Sequence, residues 1–141
     1  MVILGVDLGK ARTGLAICDR LEMLAVPLCV ITERRREVLV NLIAEKAKEN
    51  QVESIVVGLP KNMDGSEGES AQSARETGAL LAEKTGLAVE FCDERGTTIT
   101  AHNYLNETNT RGKKRKATVD AVAATVILQN HLDRRRHIQQ N

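Results

Sequence analysis

Apolar positions along the chain come in short blocks of two kinds. Val2, Ile3, Leu4 and Val6 form a run without polar alternation, which predicts a strand buried on both faces. Two more short runs follow, at 13–18 and 24–31, and Pro27 within the second predicts an edge strand. The polar turn Asp19, Arg20, Glu22 separates them, so the three read as an antiparallel meander. From Thr32, read as a cap, the pattern changes to helical spacing up to about residue 50. Val38, Leu39, Leu42, Ile43 and Ala47 share one face of that helix, with Arg, Glu and Lys on the other. Residues 54–58 give a fourth buried strand, ended by Leu59-Pro60. A polar loop over 61–68 leads to a second helix, where Ser66 and Glu69 have capping-box spacing and Gly86 is the stop. Residues 87–92 give a fifth strand, and a short helix is predicted around Ala101, Tyr104 and Leu105. The stretch 106–116 reads as a polar basic loop, after which Thr118 caps a final helix that is apolar nearly all round.

Strands alternating with helices imply parallel pairing with right-handed crossovers. Joined to an antiparallel meander, they predict an α/β protein: a mixed five-stranded sheet with helices on both faces, the ribonuclease H-like arrangement, first strand central. With 141 residues the expectation is one domain, 1–141.

Charge alters this picture only locally. Lys and Arg number 20 against 19 Asp and Glu, so net charge of +1 does not announce a nucleic-acid binder. Yet Arg111, Lys113, Lys114, Arg115 and Lys116 put five basic residues in six, and Arg134, Arg135 and Arg136 follow near the end. Phe91 and Tyr104 are the only aromatics, too few for base-stacking platforms, so contact with nucleic acid is expected at phosphates. No apolar run nears a membrane span of about 20 residues, and the opening lacks a signal-peptide layout, so a cytoplasmic location is expected. Cys18, Cys29 and Cys92 lie in apolar segments without CxxC spacing and read as buried thiols. His102, His131 and His137 look polar-flanked and are given no chemistry.

Three carboxylates stand where the pattern wants none. Asp7 ends the first strand, Glu94 follows the fifth, and Asp120 lies in the first turn of an apolar helix. Each has an ordinary reading: a turn acid, a partner of Arg95, or an acid favoured by the helix dipole. If the last helix crosses the sheet beside strand one, Asp120 meets Asp7. Carboxylate oxygens suit Mg²⁺ or Mn²⁺. Two such ions about 3.5–4 Å apart can activate water and stabilise a leaving oxygen in phosphodiester hydrolysis. Gly9 and Gly14 bracket Lys10 to Thr13 in a turn able to press on phosphate or metal, a turn also used by actin-type ATPases. Thr13, Thr97 and Thr98 are hydroxyl donors to phosphate or turn caps, and Arg12 and Arg95 are phosphate ligands.

Four segments in order, GVDLGKARTGLAICD (5–19), VVGLPKNMDGSEG (56–68), DERGTT (93–98) and KATVDAVAATVILQNHL (116–132), resemble the motifs of the YqgF family, also called RuvX-like. The resemblance implies a ribonuclease H-like, metal-dependent nuclease whose acids fall on Asp7, Glu94 and Asp120. The family is assigned to maturation of the 5′ end of pre-16S ribosomal RNA. An older reading makes its members Holliday junction resolvases acting on branched DNA, and a non-catalytic RNA-binding module is the third alternative. A monomer or weak homodimer is expected.

Overall fold

The computed structural model describes residues 1–93 and 112–140, and for 112–120 and 138–140 it describes the backbone alone. Five strands are present: β1 (Ile3–Leu8), β2 (Arg12–Cys18), β3 (Ala25–Thr32), β4 (Ser54–Leu59) and β5 (Ala88–Asp93). Three helices accompany them: α1 (Arg36–Glu49), α2 (Glu69–Thr85) and α3 (Gly112–Gln140). The sheet order is β3-β2-β1-β4-β5, so β1 is central and β3 is an edge, as Pro27 implied. β1 pairs antiparallel with β2 and parallel with β4; β2 with β3 is antiparallel, β4 with β5 parallel. β1, β4 and β5 therefore end at one edge, here the carboxyl edge, where β2 begins and β3 ends.

The period of two along each strand divides the core between the faces. Leu4, Val6, Leu15, Ile55 and Val57 pack with Leu39, Ile43, Ala71, Ala74 and Leu81 of α1 and α2. Ile3, Ala16, Cys18, Val56 and Cys92 pack with Ala124, Ile127, Leu128 and Leu132 of α3. On α1 the buried residues are Leu39, Val40, Ile43 and Ala47; Val38 and Leu42 are only partly covered. All three cysteines are free; Cys18 and Cys92 are buried and Cys29 partly so.

Three caps differ from the sequence expectation. Thr32 does not cap α1. It pairs with Arg12 as the last residue of β3, and the helix begins four residues later at Arg36. Ser66 does not cap α2. Its hydroxyl bonds Asp64 and receives Asn62 Nδ2 inside a small hairpin closed by the Lys61–Glu67 bridge, which leaves Gly68 as N-cap. Thr118 does not cap α3, because the helix already runs from Gly112 and takes in residues 112–116 of the expected basic loop. The helix expected around Ala101, Tyr104 and Leu105 lies outside the described residues. Among the described residues, no helix is long and apolar enough to cross a membrane.

Candidate active site at the carboxyl edge

Asp7 is the second-last residue of β1 and is partly exposed. Its cross-strand partner is Gly14, so β2 sends no side chain over it. Alternation along β1 puts residue 7 on the face of Ile3 and Gly5, the face that α3 covers. The turn back to β2 needs glycine at position 9. A Cβ there would stand 2.3 Å from the Arg12 carbonyl oxygen, which no side chain tolerates.

α3 packs directly on β1 at Gly5. A Cβ on residue 5 would lie 2.8 Å from Leu128 Cβ and 3.1 Å from the Ala124 carbonyl oxygen. The direction of α3 is fixed at the opposite edge of the sheet. There Gln129 Oε1 accepts the Ala25 N–H at 2.9 Å, and Arg135 holds Glu22 of the β2–β3 turn at 2.6 Å. α3 thus runs against β1, with its earlier residues toward the carboxyl edge. Two residues of strand, from Gly5 to Asp7, advance roughly 6.7 Å. Four residues of helix, from Ala124 back to Asp120, retreat about 6 Å. The two steps match, so the helical backbone at 120 draws level with the strand at 7. The crossing beside strand one that the acid pattern required is present.

The remaining expected residues divide in two. Glu94 and Arg95 lie outside the described residues; β5 ends one position earlier, at Asp93. Lys113, Lys114, Arg115 and Lys116 belong to the first turns of α3, where only the backbone is described. Among the described residues, no three His, Cys, Asp or Glu side chains converge on a metal position, as follows when two of the three acids lie beyond that set. Arg12 opens β2 at this edge and is partly exposed. Thr13 departs from its expected role. Its side chain is fully buried on the α1–α2 face with Leu15, and its hydroxyl has no partner among the described residues, so it does not reach a phosphate. Thr97 and Thr98 lie outside the described residues.

The edge carries cations that the sequence pattern did not single out. A helix starting at Thr32 would carry Arg34, Arg35 and Arg36 within its first turns. In the structure Arg34 and Arg35 belong instead to the extended link between β3 and α1. The Glu33 N–H donates to the Ala11 carbonyl at 3.0 Å and draws this link against the β1–β2 turn. Arg35 grips Glu33 at 3.1 Å and holds its carboxyl below the usual range.

A family model for RuvX, described as "Holliday junction resolvase", matches residues 1–134. The chain belongs to the RuvX family. A RuvX relative from Clostridium botulinum (strain Alaska E43 / Type E3), named "Putative pre-16S rRNA nuclease", is 45% identical over 134 residues, 95% of this chain and 98% of the relative. One from Anaeromyxobacter sp. (strain Fw109-5), with the same name, is 47% identical over 135 residues, 96% and 98% of the two chains. In three dimensions the RuvX chain is similar to Thermus thermophilus RuvC solved with a Holliday junction substrate. That match has a TM-score of 0.62 at 16% identity and covers 97% of this chain and 96% of that one. The fowlpox virus resolvase, solved with junction DNA, gives 0.59 at 9% identity, covering 95% and 98%. At such identities the likeness concerns the fold, which is the ribonuclease H-like sheet anticipated from the strand order.

Proposed function

We propose that this RuvX chain is a divalent-metal-dependent endonuclease that hydrolyses a phosphodiester bond of precursor ribosomal RNA, at the 5′ end of pre-16S rRNA, in the cytoplasm. The names of the relatives supply the substrate class. The observation that carries the chemistry is the packing of Gly5 on Ala124 and Leu128, which brings the stretch of α3 bearing Asp120 level with Asp7.

The donor set fits Mg²⁺ or Mn²⁺. Asp7, Glu94 and Asp120 offer hard carboxylate oxygens, and the missing side chain at Gly14 leaves room beside Asp7. A divalent ion held by these carboxylates would supply Lewis-acid polarisation of the phosphoryl group and activation of water at neutral pH. Asp7, Glu94 and Asp120 would hold it, with Asp7 carried by the central strand and Asp120 by α3. Arg12, Arg95, Lys113, Lys114, Arg115 and Lys116 hold the backbone phosphates on either side of the bond. Because β1 and α3 are built into the core, the backbone at 7 and at 120 is fixed before substrate arrives, which supports a preorganised site.

Purified protein with Mn²⁺ or Mg²⁺ is expected to cut an RNA spanning the pre-16S 5′ cleavage site, and Asp7→Asn to lower the rate by more than about 100-fold. Equal cutting by both proteins would show a contaminating nuclease and overturn the reading, whereas cutting by the wild type that Asp7→Asn abolishes excludes a plain binding module. The description of the family favours one second reading, a junction resolvase using the same acids. A resolvase cuts two symmetric strands and so acts as a twofold dimer. The rRNA reading expects a monomer or weak homodimer that prefers precursor RNA to four-way DNA in parallel assays.

A further inference from the structure

Seven large apolar side chains are exposed among the described residues, and five of them belong to one region: Met1, Leu21, Met23, Leu24 and Val26. The turn between β2 and β3 supplies Leu21, Met23 and Leu24, which are 80%, 54% and 62% exposed. Met1 is drawn to this turn by its amino group, which donates to the Arg20 carbonyl at 2.8 Å and to the Glu22 carboxylate at 3.0 Å. Val26 continues from the turn as the second residue of β3. The region lies where β2 ends and β3 begins, at the edge of the sheet opposite the carboxyl edge.

The turn is firmly held. The Asp19 carboxylate accepts the N–H groups of Leu21, Met23 and Leu24 at 3.2, 2.9 and 3.1 Å, so the backbone folds around it while the three side chains stay in solvent. Glu22, between them, takes a φ of 56°, a left-handed conformation that side chains rarely adopt, and Arg135 holds its carboxylate at 2.6 Å. Gln129 of α3 accepts the Ala25 N–H at 2.9 Å and donates to the Met23 carbonyl at 3.4 Å. A turn anchored in this way has little conformational freedom left to lose when its apolar side chains are covered.

The charges around the patch say what covers it. Beside Met1, Arg20 is exposed. Beside Met23, the exposed Asp133 accepts Gln129 Nε2 at 3.1 Å and pairs with Arg136, whose guanidinium lies 4.0 Å from Met23 Sδ. The patch is thus bordered by a cation near Met1 and by a carboxylate near Met23. A twofold axis turns one copy end for end on the other and brings unlike ends of the patch together. A phosphate backbone would instead find apolar side chains where it needs cations. Exposed apolar patches of a few hundred Å² mark interaction sites, and two of them face to face bury roughly 1,000 Å², the low end of specific interfaces. We infer that the β2–β3 turn is a homodimer interface, where Leu21, Met23 and Leu24 pack on the same residues of a second copy across a twofold axis. The contact leaves the carboxyl edge of each copy clear, so it stands independently of the nuclease reading.

Sedimentation velocity from micromolar to near-millimolar chain is the test. The wild type is expected to shift from monomer toward dimer as its concentration rises. Leu21→Ser/Leu24→Ser is expected to melt as the wild type does, since both side chains are exposed, and to weaken association by at least about tenfold, because a twofold contact uses each side chain twice. Met63→Ser/Leu80→Ser removes the two exposed apolar side chains outside the patch and is expected to associate like the wild type. A wild type that sediments as a monomer at every concentration overturns the interface. So does a Leu21/Leu24 variant that associates as the wild type does, or one that melts early, which would show the leucines to serve the fold of their own chain.

Discussion

His131 shows how one residue escapes a reading by type. In sequence it follows Asn130 and looks polar, yet on α3 it is only 7% exposed. The signal was its spacing: Ile127 and Leu128 recur four residues on as His131 and Leu132, all four buried. Burial pushes the imidazole below its ordinary 6.5. Glu90 on β5, 3.5 Å away, and Glu22 pull it up, while Arg134 and Arg135 push it down. With a depressed folded value, the unfolded chain binds the proton first. The neutral ring therefore contributes its full stability above about pH 6.5 and loses it progressively as pH falls below that. Thermal midpoints of the wild type are expected to drop between about pH 7 and pH 5.5, and His131→Gln to drop less over that window. Identical slopes for the two proteins would mean the ring titrates as it does in water.

Among the elements, those legible in the sequence were the ones whose pattern is set by burial alone. The unbroken run 2–6 marked the central strand, Pro27 the edge, and the apolar stripe around Leu39, Ile43 and Ala47 the face of α1. Element ends were read less well, because ends are decided by competing partners. Pairing with Arg12 claimed Thr32 for β3, the Asp64–Asn62 hairpin claimed the Ser66 hydroxyl, and the strong helix formers Lys113 to Ala117 extended α3 past Thr118. The crossing of α3 over β1 depends on the absent side chain at Gly5, whose importance no periodicity reveals. Gly5→Ala is expected to cost about 1–3 kcal/mol in urea unfolding, since its Cβ would meet both the Leu128 Cβ and helix backbone. It should also lower RNA cleavage in the folded protein, because α3 must move away from Asp7. Gly78→Ala is the control on the other face. Its Cβ would meet the Phe91 ring at 2.6 Å, and helix propensity returns up to ~1 kcal/mol. That variant is expected to lose less stability and to keep cleavage.

At the scale of the molecule, a net charge of +1 conceals a separation of sign. The reading proposed above gathers Asp7, Glu94 and Asp120 at one point of the carboxyl edge, the edge at which Arg12 opens β2. This pattern is legible in part: the acids and the run at 111–116 are visible in the sequence, whereas Arg34 joins the carboxyl edge only because β3 runs on to Thr32 and the helix starts at Arg36. It has a consequence that separates a nuclease from a plain binding module. Without metal, the acids repel the same phosphate that the surrounding cations attract. Removing one carboxylate should then strengthen binding even as it abolishes cutting. A unit charge about 4 Å away is worth about 1 kcal/mol in water and more at a partly buried site. In EDTA, Asp7→Asn is accordingly expected to bind precursor RNA about fivefold more tightly than wild type or better, in the same preparation that has lost cleavage with Mn²⁺. Adding Ca²⁺ should tighten wild-type binding and narrow the difference, because the wild-type acids are then neutralised. A binding module whose Asp7 merely ends a strand predicts equal affinities for the two proteins with or without divalent ions, and fluorescence anisotropy on one labelled RNA distinguishes these outcomes.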